Sequence, residues 1–205
     1  MPNASKTAVV SGWSSTQSTG DESAVRRIQD RAFRFGRVRD GGRADDVRPG
    51  TGRPDTAPEL VAEAVLVDLL RADPLAWLPR LSLVAERNGE PVGHVVCSRA
   101  HLRGSIPVLG LGPIGVLPEH QRHGIGTALV HAVCAAADAR DEPLVVLLGD
   151  PGFYTRTGFV RADRLGITPP VPEWAEYFQV RPLTAYDPGT HHGAFTYAEP
   201  FALVS

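Results

Sequence analysis

Residues Leu117–Thr127, LPEHQRHGIGT, group together side chains and glycines suited to holding an anion. Pro118 closes the segment before it. Gln121-x-x-Gly124-x-Gly126 then stands where a strand hands over to a helix. The first N–H groups of a helix lack partners within the helix and carry the positive end of its dipole. Glycines let an anion approach the backbone without meeting a Cβ, and Arg122 and His123 add positive charge at the rim. This spacing predicts a cradle for a pyrophosphate. Two rival readings fail. Gly110-Leu-Gly112-Pro-Ile-Gly115 formally matches a dinucleotide fingerprint, but Pro113 and Pro118 leave no room for a helix to begin there. No Gly-Lys-Ser/Thr is present, so there is no P-loop.

Other candidates for chemistry are weaker. His120 and His123 share a turn but lack a third ligand, so no metal is expected. Cys97 and Cys134, the only cysteines, sit among apolar residues and read as buried thiols. They point to a reducing, cytoplasmic home. Arg26, Arg27, Arg31 and Arg34 alternate with Asp21, Glu22, Asp30 and Asp40, which favours a solvated helix face over a nucleic-acid footprint.

The elements that position the cradle follow from periodicity. Thr7–Trp13 is expected as a short first strand. A capping-box spacing at Thr19–Glu22 opens an amphipathic helix over about Asp21–Phe35. Residues 36–58 are rich in Gly, Pro, Asp and Arg and predict a long mobile loop, whose Asp45, Asp46 and Asp55 suit a cationic ligand. A second helix is expected over about Glu59–Ala72. A hairpin follows, Leu81–Glu86 and Pro91–Leu102 around Asn88-Gly89. Ile106–Leu117 predicts a long strand whose interior glycines invite a close neighbour. The helix after Gly124 is expected to reach about Arg140, before a strand buried on both faces at Leu144–Leu148. Asp150–Phe159 predicts a short helix with Pro151 in its first turn. A strand is expected at Tyr177–Arg181, then a loop-like, Pro-rich extension (182–205) with one short strand. The order gives a mixed α/β sheet in a single domain, 1–205.

Composition sets limits. The 205 residues carry 21 basic and 23 acidic side chains, a net charge of −2, so no general attraction to nucleic acid or membrane is implied. No signal peptide and no membrane-spanning run is visible.

With these residues in view, the chain resembles the GNAT superfamily of N-acetyltransferases, and in particular its YhbS-like bacterial branch. Gln121-x-x-Gly124-x-Gly126 is similar to that superfamily's acetyl-CoA motif. Tyr154-Thr-Arg-Thr-Gly158-Phe159 resembles its Tyr-x-x-x-Gly-Phe, and LSLVAERNGEPVGHVV its central hairpin. The resemblance spans about Asp21–Arg181. It implies a mixed, mostly antiparallel sheet with helices on both faces and a splayed fourth and fifth strand. It places acetyl-CoA against Val116, Leu117, Gln121, Arg122, His123, Gly124, Ile125, Gly126, Thr127, Phe153 and Tyr154. Within that set, the Val116 backbone bonds pantetheine and the acetyl carbonyl, and Tyr154 protonates the departing thiolate. No metal is implied.

Two departures stand out. Gly149-Asp150-Pro151 replaces an Asn that many members use on pantetheine. The strand GLGPIG lacks the Glu that many use as base; Glu119 lies on the wrong side of Pro118 for an easy assignment, which leaves Glu86, His94 and His101 as alternatives. The implied activity is acetyl transfer from acetyl-CoA to a primary amine of a small molecule or peptide, in a ternary complex. A non-catalytic acyl-CoA sensor and a longer-chain acyltransferase are the other readings, and a homodimer is compatible with either.

Overall fold

The computed structural model describes residues 22–40, with side chains to residue 34, and residues 61–204. The expected first strand, Thr19 of the capping box and most of the 36–58 loop lie outside the described residues.

Helix α1 (Glu22–Asp40) runs beyond the expected end at Phe35. Gly36 stops it no more than an interior glycine usually does, at a cost of about 1 kcal/mol, and no proline interrupts the segment. Helix α2 (Ala62–Ala72) buries Ala64, Leu66, Val67 and Leu70 along one stripe. Strands β1 (Ser82–Arg87) and β2 (Glu90–Leu102) meet in a two-residue turn. Asn88 and Gly89 there have φ of 53° and 80°, the positive pair that such a hairpin requires. Strand β3 (Ile106–Val116) returns antiparallel to β2. Helix α3 (Ile125–Asp138) crosses back to β4 (Leu144–Leu148), and the short helix α4 (Pro151–Tyr154) follows. Two-residue strands β5 (Val160–Arg161) and β6 (Ile167–Thr168) went unread in the sequence because so short a stretch has no periodicity. Strand β7 (Phe178–Pro182) was expected, and β8 (Gly193–Thr196) is the short strand of the tail.

The sheet order is β5-β7-β4-β3-β2-β8-β6, with β1 beside the first half of β2. Pairing is antiparallel except for β3–β4 and β6–β8. The β3–β4 ladder is brief. Only Leu109↔Val145 and Gly110↔Val146 pair, so among the described residues no strand lies on that side of β3 from Leu111 to Val116. The expected splay lies there.

Helices cover both faces. A Cβ built on Gly93 would lie 3.0 Å from Leu129 of α3, whereas one on Gly115 would lie 2.7 Å from Gln29 of α1. Gly93 pairs with Val116, so Val116 shares the α3 face and Gly115 the α1 face. The larger core, including Val95, Leu109, Val130, Val133 and Leu147, fills the α3 side. On the other side the tail closes over its own chain: Phe195 packs with Phe178, and Phe201 and Val204 pack with Leu66, Leu70 and Trp77. No helix among the described residues is long and apolar enough to cross a membrane.

Candidate active site

The site begins at the end of β3. Leu117 N–H donates to the Val92 carbonyl at 2.9 Å, across the β2–β3 ladder. Amides alternate sides along a strand, so the Val116 N–H points away from β2 and into the splay. The Gln121 side chain donates to the Val116 carbonyl at 3.0 Å, tying the following turn to the strand end. Arg122 (φ 65°) and Gly124 (φ 81°) turn the chain through left-handed conformations. Gly124 is the N-cap of α3 and offers no capping side chain. The first intrahelical bond, from Ala128 N–H to the Gly124 carbonyl, spans 2.9 Å. The amides of Ile125, Gly126 and Thr127 precede it and point out of the helix end. A Cβ on Gly124 would meet nothing within 4 Å. The geometry therefore leaves an uncapped helix N-terminus with open space in front of it, as an anion needs.

That space belongs to a cavity of about 950 Å³. Val116, Gln121, Arg122, Gly124, Ile125, Gly126 and Thr127 line it, and so do Phe153 and Tyr154. The fold therefore brings most of the expected set together. Leu117 and His123 are not on its wall. Leu117 is buried beneath the strand end, and the His123 ring Nδ1–H donates to the Gln121 carbonyl at 2.8 Å.

Tyr154 owes its place to local structure. Asp150 caps α4 by accepting from the Gly152 N–H at 2.8 Å, and Pro151 fits the first turn. Gly158 (φ 88°) then ends the one-turn 3₁₀ extension. The Tyr154 ring stands edge-on to Phe153 (4.8 Å between centroids) and Phe159 (5.8 Å). Its flank presses on Gly149, where a Cβ would come within 2.4 Å of the ring. Burial pushes the phenol up to about 12, so it stays a neutral donor across the physiological range.

Sequence reasoning missed part of the lining. Arg156 shares the cavity wall and donates to the Gly152 carbonyl at 2.7 Å. It lies inside the Tyr154–Phe159 motif, and its position one helical half-turn past Tyr154 was the available signal. Ala32 and Phe33 of α1, Glu63 of α2, and Ile114 and Gly115 of β3 also line the space. Nothing in the sequence links Glu63 to a strand more than fifty residues away. The Val116 side and the Gly115 side lie on opposite faces of the sheet. The cavity therefore passes through the sheet at the splay, from the α3–α4 side to the α1–α2 side.

The three candidate bases and Glu119 have other roles or other places. His94 is fully buried. Gln29 donates to its Nδ1 at 2.9 Å, and its Nε2–H is shared with Ser82 Oγ at 2.9 Å. Burial, with a smaller push from the Arg71 charge, holds the ring down at about 3, so it is a neutral structural group. Glu119 accepts a two-pronged bond from Arg31 at 3.0 and 3.2 Å. Glu86 and His101 do not line the cavity; His101 sits in the β2–β8 pairing. Cys97 and Cys134 are buried, and desolvation raises both thiols, Cys134 to about 11. Neither suits an acyl carrier. Among the described residues, no group of three or more His, Cys, Asp or Glu is placed to hold a metal ion.

The chain is similar to known acetyltransferases. A family model described as an acetyltransferase (GNAT) domain matches residues 79–161. The uncharacterized N-acetyltransferase YjhQ of Escherichia coli K12 is 30% identical over 187 residues, which cover 88% of this chain and 88% of that protein. The uncharacterized N-acetyltransferase YhbS of the same strain is 32% identical over 124 residues, 60% of this chain and 72% of YhbS. The crystal structure of E. coli YhbS in complex with CoA is similar with a TM-score of 0.63 at 29% identity, over 69% of this chain and 78% of that one. A GNAT family acetyltransferase from Brucella melitensis, in complex with acetyl-CoA, gives a TM-score of 0.65 at 28% identity over 92% of this chain and 97% of that chain.

Proposed function

The chain belongs to the GNAT acetyltransferase family, and we propose that it moves the acetyl group of acetyl-CoA to a primary amine of a small molecule or peptide by direct attack in a ternary complex. We read 1–205 as one such catalytic unit. The observation that carries the proposal is the cavity that threads the sheet between the Val116 edge of β3 and the Phe153–Tyr154 wall, with an uncapped helix end at one side. The residues present fit the donor: the helix end accepts a diphosphate, and the open edge of β3 accepts an extended amide-bearing chain.

In this reading the amides of Ile125, Gly126 and Thr127 bond the pyrophosphate, Arg122 supplies charge beside it, and His123 braces the turn through the Gln121 carbonyl. Gln121 and Leu117 hold the turn in place. Acetyl-CoA supplies an activated thioester. Val116 N–H, free of β2, bonds the carbonyl oxygen as negative charge develops there. The neutral amine attacks the carbonyl carbon, forming C–N as C–S breaks. Tyr154 hydroxyl gives its proton to the departing sulfur and is reprotonated from the amine. The phenol is a weak acid here, but the desolvation that raises it also raises the thiolate, which keeps the transfer accessible.

The test is amine-dependent release of free thiol from acetyl-CoA across a panel of alkylamines, arylamines and peptides with free N-termini. The expected result is turnover with at least one amine, and N-acetylated product by mass. Thiol release that ignores the amine, or none with any amine, contradicts the proposal.

A further inference from the structure

Two tyrosine rings rest on glycines where β3 and β4 part. Tyr154, from α4, presses its flank on Gly149, the residue after β4. Tyr197, from the Pro-rich tail, lies on Gly110, the last residue of β3 that pairs with β4. A Cβ built on Gly110 would come within 3.1 and 3.2 Å of the Tyr197 ring. The rings approach from opposite faces of the sheet. Leu109 and Leu111 belong with Tyr154 to the α3-side core, so Gly110 between them turns to the other face, where Tyr197 packs with Phe195. The Tyr197 ring is held firmly. It stands edge-on to Phe195 (4.7 Å between centroids) and stacks on Phe201 (4.5 Å). Pairing of β8 with β2 at Leu102↔Phe195 and His101↔Thr196 fixes the chain just before it. The two phenols also act on each other. Burial, and then the Tyr154 oxygen nearby, push Tyr197 up. Tyr154 is raised by burial alone, to about 12, so of the pair it gives up its proton first and Tyr197 stays a neutral donor beside it.

We infer that Tyr197 is a positioning residue for the transfer: its hydroxyl donates, through one water, to the Tyr154 oxygen as that oxygen gives its proton to sulfur. This rests on the acetyltransferase reading and adds a second phenol to its proton path. A transient phenolate in a buried place is costly unless a donor faces it. Tyr197 supplies that donor, and Phe195 and Phe201 hold it still. The protons balance. As C–N forms and C–S breaks, the Tyr154 proton goes to sulfur. The Tyr197 proton passes through the water to Tyr154, and the proton shed by the new amide nitrogen refills Tyr197. One proton moves from nitrogen to sulfur, and both phenols end as they began. Tyr197 stands outside the stretch that matches the acetyltransferase domain, residues 79–161, so the tail adds this group to the site from beyond the shared fold.

The experiment measures single-turnover transfer from acetyl-CoA to the fastest amine of the panel. Wild type, Tyr197→Phe, Tyr154→Phe and the double variant are compared, with proton inventories of wild type and Tyr197→Phe in mixed light and heavy water. Tyr197→Phe keeps the ring over Gly110, so the thermal midpoint should hold and acetyl-CoA affinity should stay within about twofold. Its transfer rate should fall about tenfold. The double variant should be no slower than Tyr154→Phe, because Tyr197 acts only through that hydroxyl. The wild-type inventory should bow, since more than one proton moves, and Tyr197→Phe should straighten it. A merely structural role would slow the Tyr154→Phe background as well and leave the bow in place. An unchanged rate in Tyr197→Phe, an equal further loss in the double variant, or an inventory that keeps its bow overturns this inference and leaves the acetyltransferase reading standing. Wild type that acetylates no amine overturns both.

Discussion

The two halves of the cavity are built by opposite strategies. The α3 part of the α3–α4 half is assembled from contiguous chain, to which Phe153, Tyr154 and Arg156 add a second wall. Val116, Gln121, Gly124 and Gly126 fall within eleven residues, and one side-chain bond, Gln121 to the Val116 carbonyl, locks the turn to the strand. In the proposed reading, backbone amides and a helix end do most of the binding there, so few side-chain identities are demanded. The α1–α2 half is assembled from distant chain. Ala32, Phe33 and Glu63 reach Gly115 only because two helices pack across β2 and β3. Its lining is made of side chains, and of very few of them. A cofactor shared across a family suits the first strategy, and an acceptor particular to one protein suits the second.

Four substitutions probe the two halves separately. Tyr154→Phe should cut kcat by about a hundredfold or more while leaving acetyl-CoA affinity within about twofold, measured by calorimetry beside steady-state kinetics. An unchanged kcat would remove Tyr154 from the proton path. Gly149→Ala should give a smaller kcat loss, about tenfold, because the added methyl cannot share space with the Tyr154 ring. Its signature is loss of rate without loss of cofactor binding.

On the other half, His94 should govern acid stability without touching the cofactor. Its folded value, about 3, lies below the ordinary 6.5, so the unfolded chain takes up a proton that the folded chain refuses. That stabilisation is complete above the ordinary value and is lost as pH falls through the window toward 3. The expected slope is up to about 1.4 kcal/mol per pH unit, read from denaturant midpoints. His94→Gln should lower stability near neutral pH and flatten that slope; an equally steep slope in the variant would assign it to other groups. The smallest effect is expected from Arg156→Gln. Losing an exposed cation at the cofactor mouth should weaken acetyl-CoA by about threefold to tenfold, with a shallower dependence on salt.

The same contrast explains what could be read from the sequence. The turn into α3 was legible because its residues are adjacent and its physics is local: a glycine turn entering a helix announces itself in six letters. The splay was legible by resemblance, and the structure locates it at Gly110, where pairing with β4 ceases. The boundary of α1 was missed because composition favoured a loop while the helix continued through Gly36. The candidate bases failed for a reason that only tertiary structure holds. His94 looked available, yet Gln29, sixty-five residues earlier, occupies its Nδ1. Glu63 was passed over because one glutamate at the start of an ordinary amphipathic helix carries no signal until the cavity is known.

In the proposed function the α3 end of this cavity receives the anionic part of acetyl-CoA. Calorimetric titration of acetyl-CoA into wild type and Gly126→Asp tests this. A side chain at Gly126 meets only ordinary contact with Phe153, at 3.4 Å, and an acid in a first helical turn favours the helix, so the variant should fold. The account predicts saturable binding to wild type, weakened about a hundredfold or more by the new carboxylate. Equal binding by both proteins, or none by folded wild type, would contradict it.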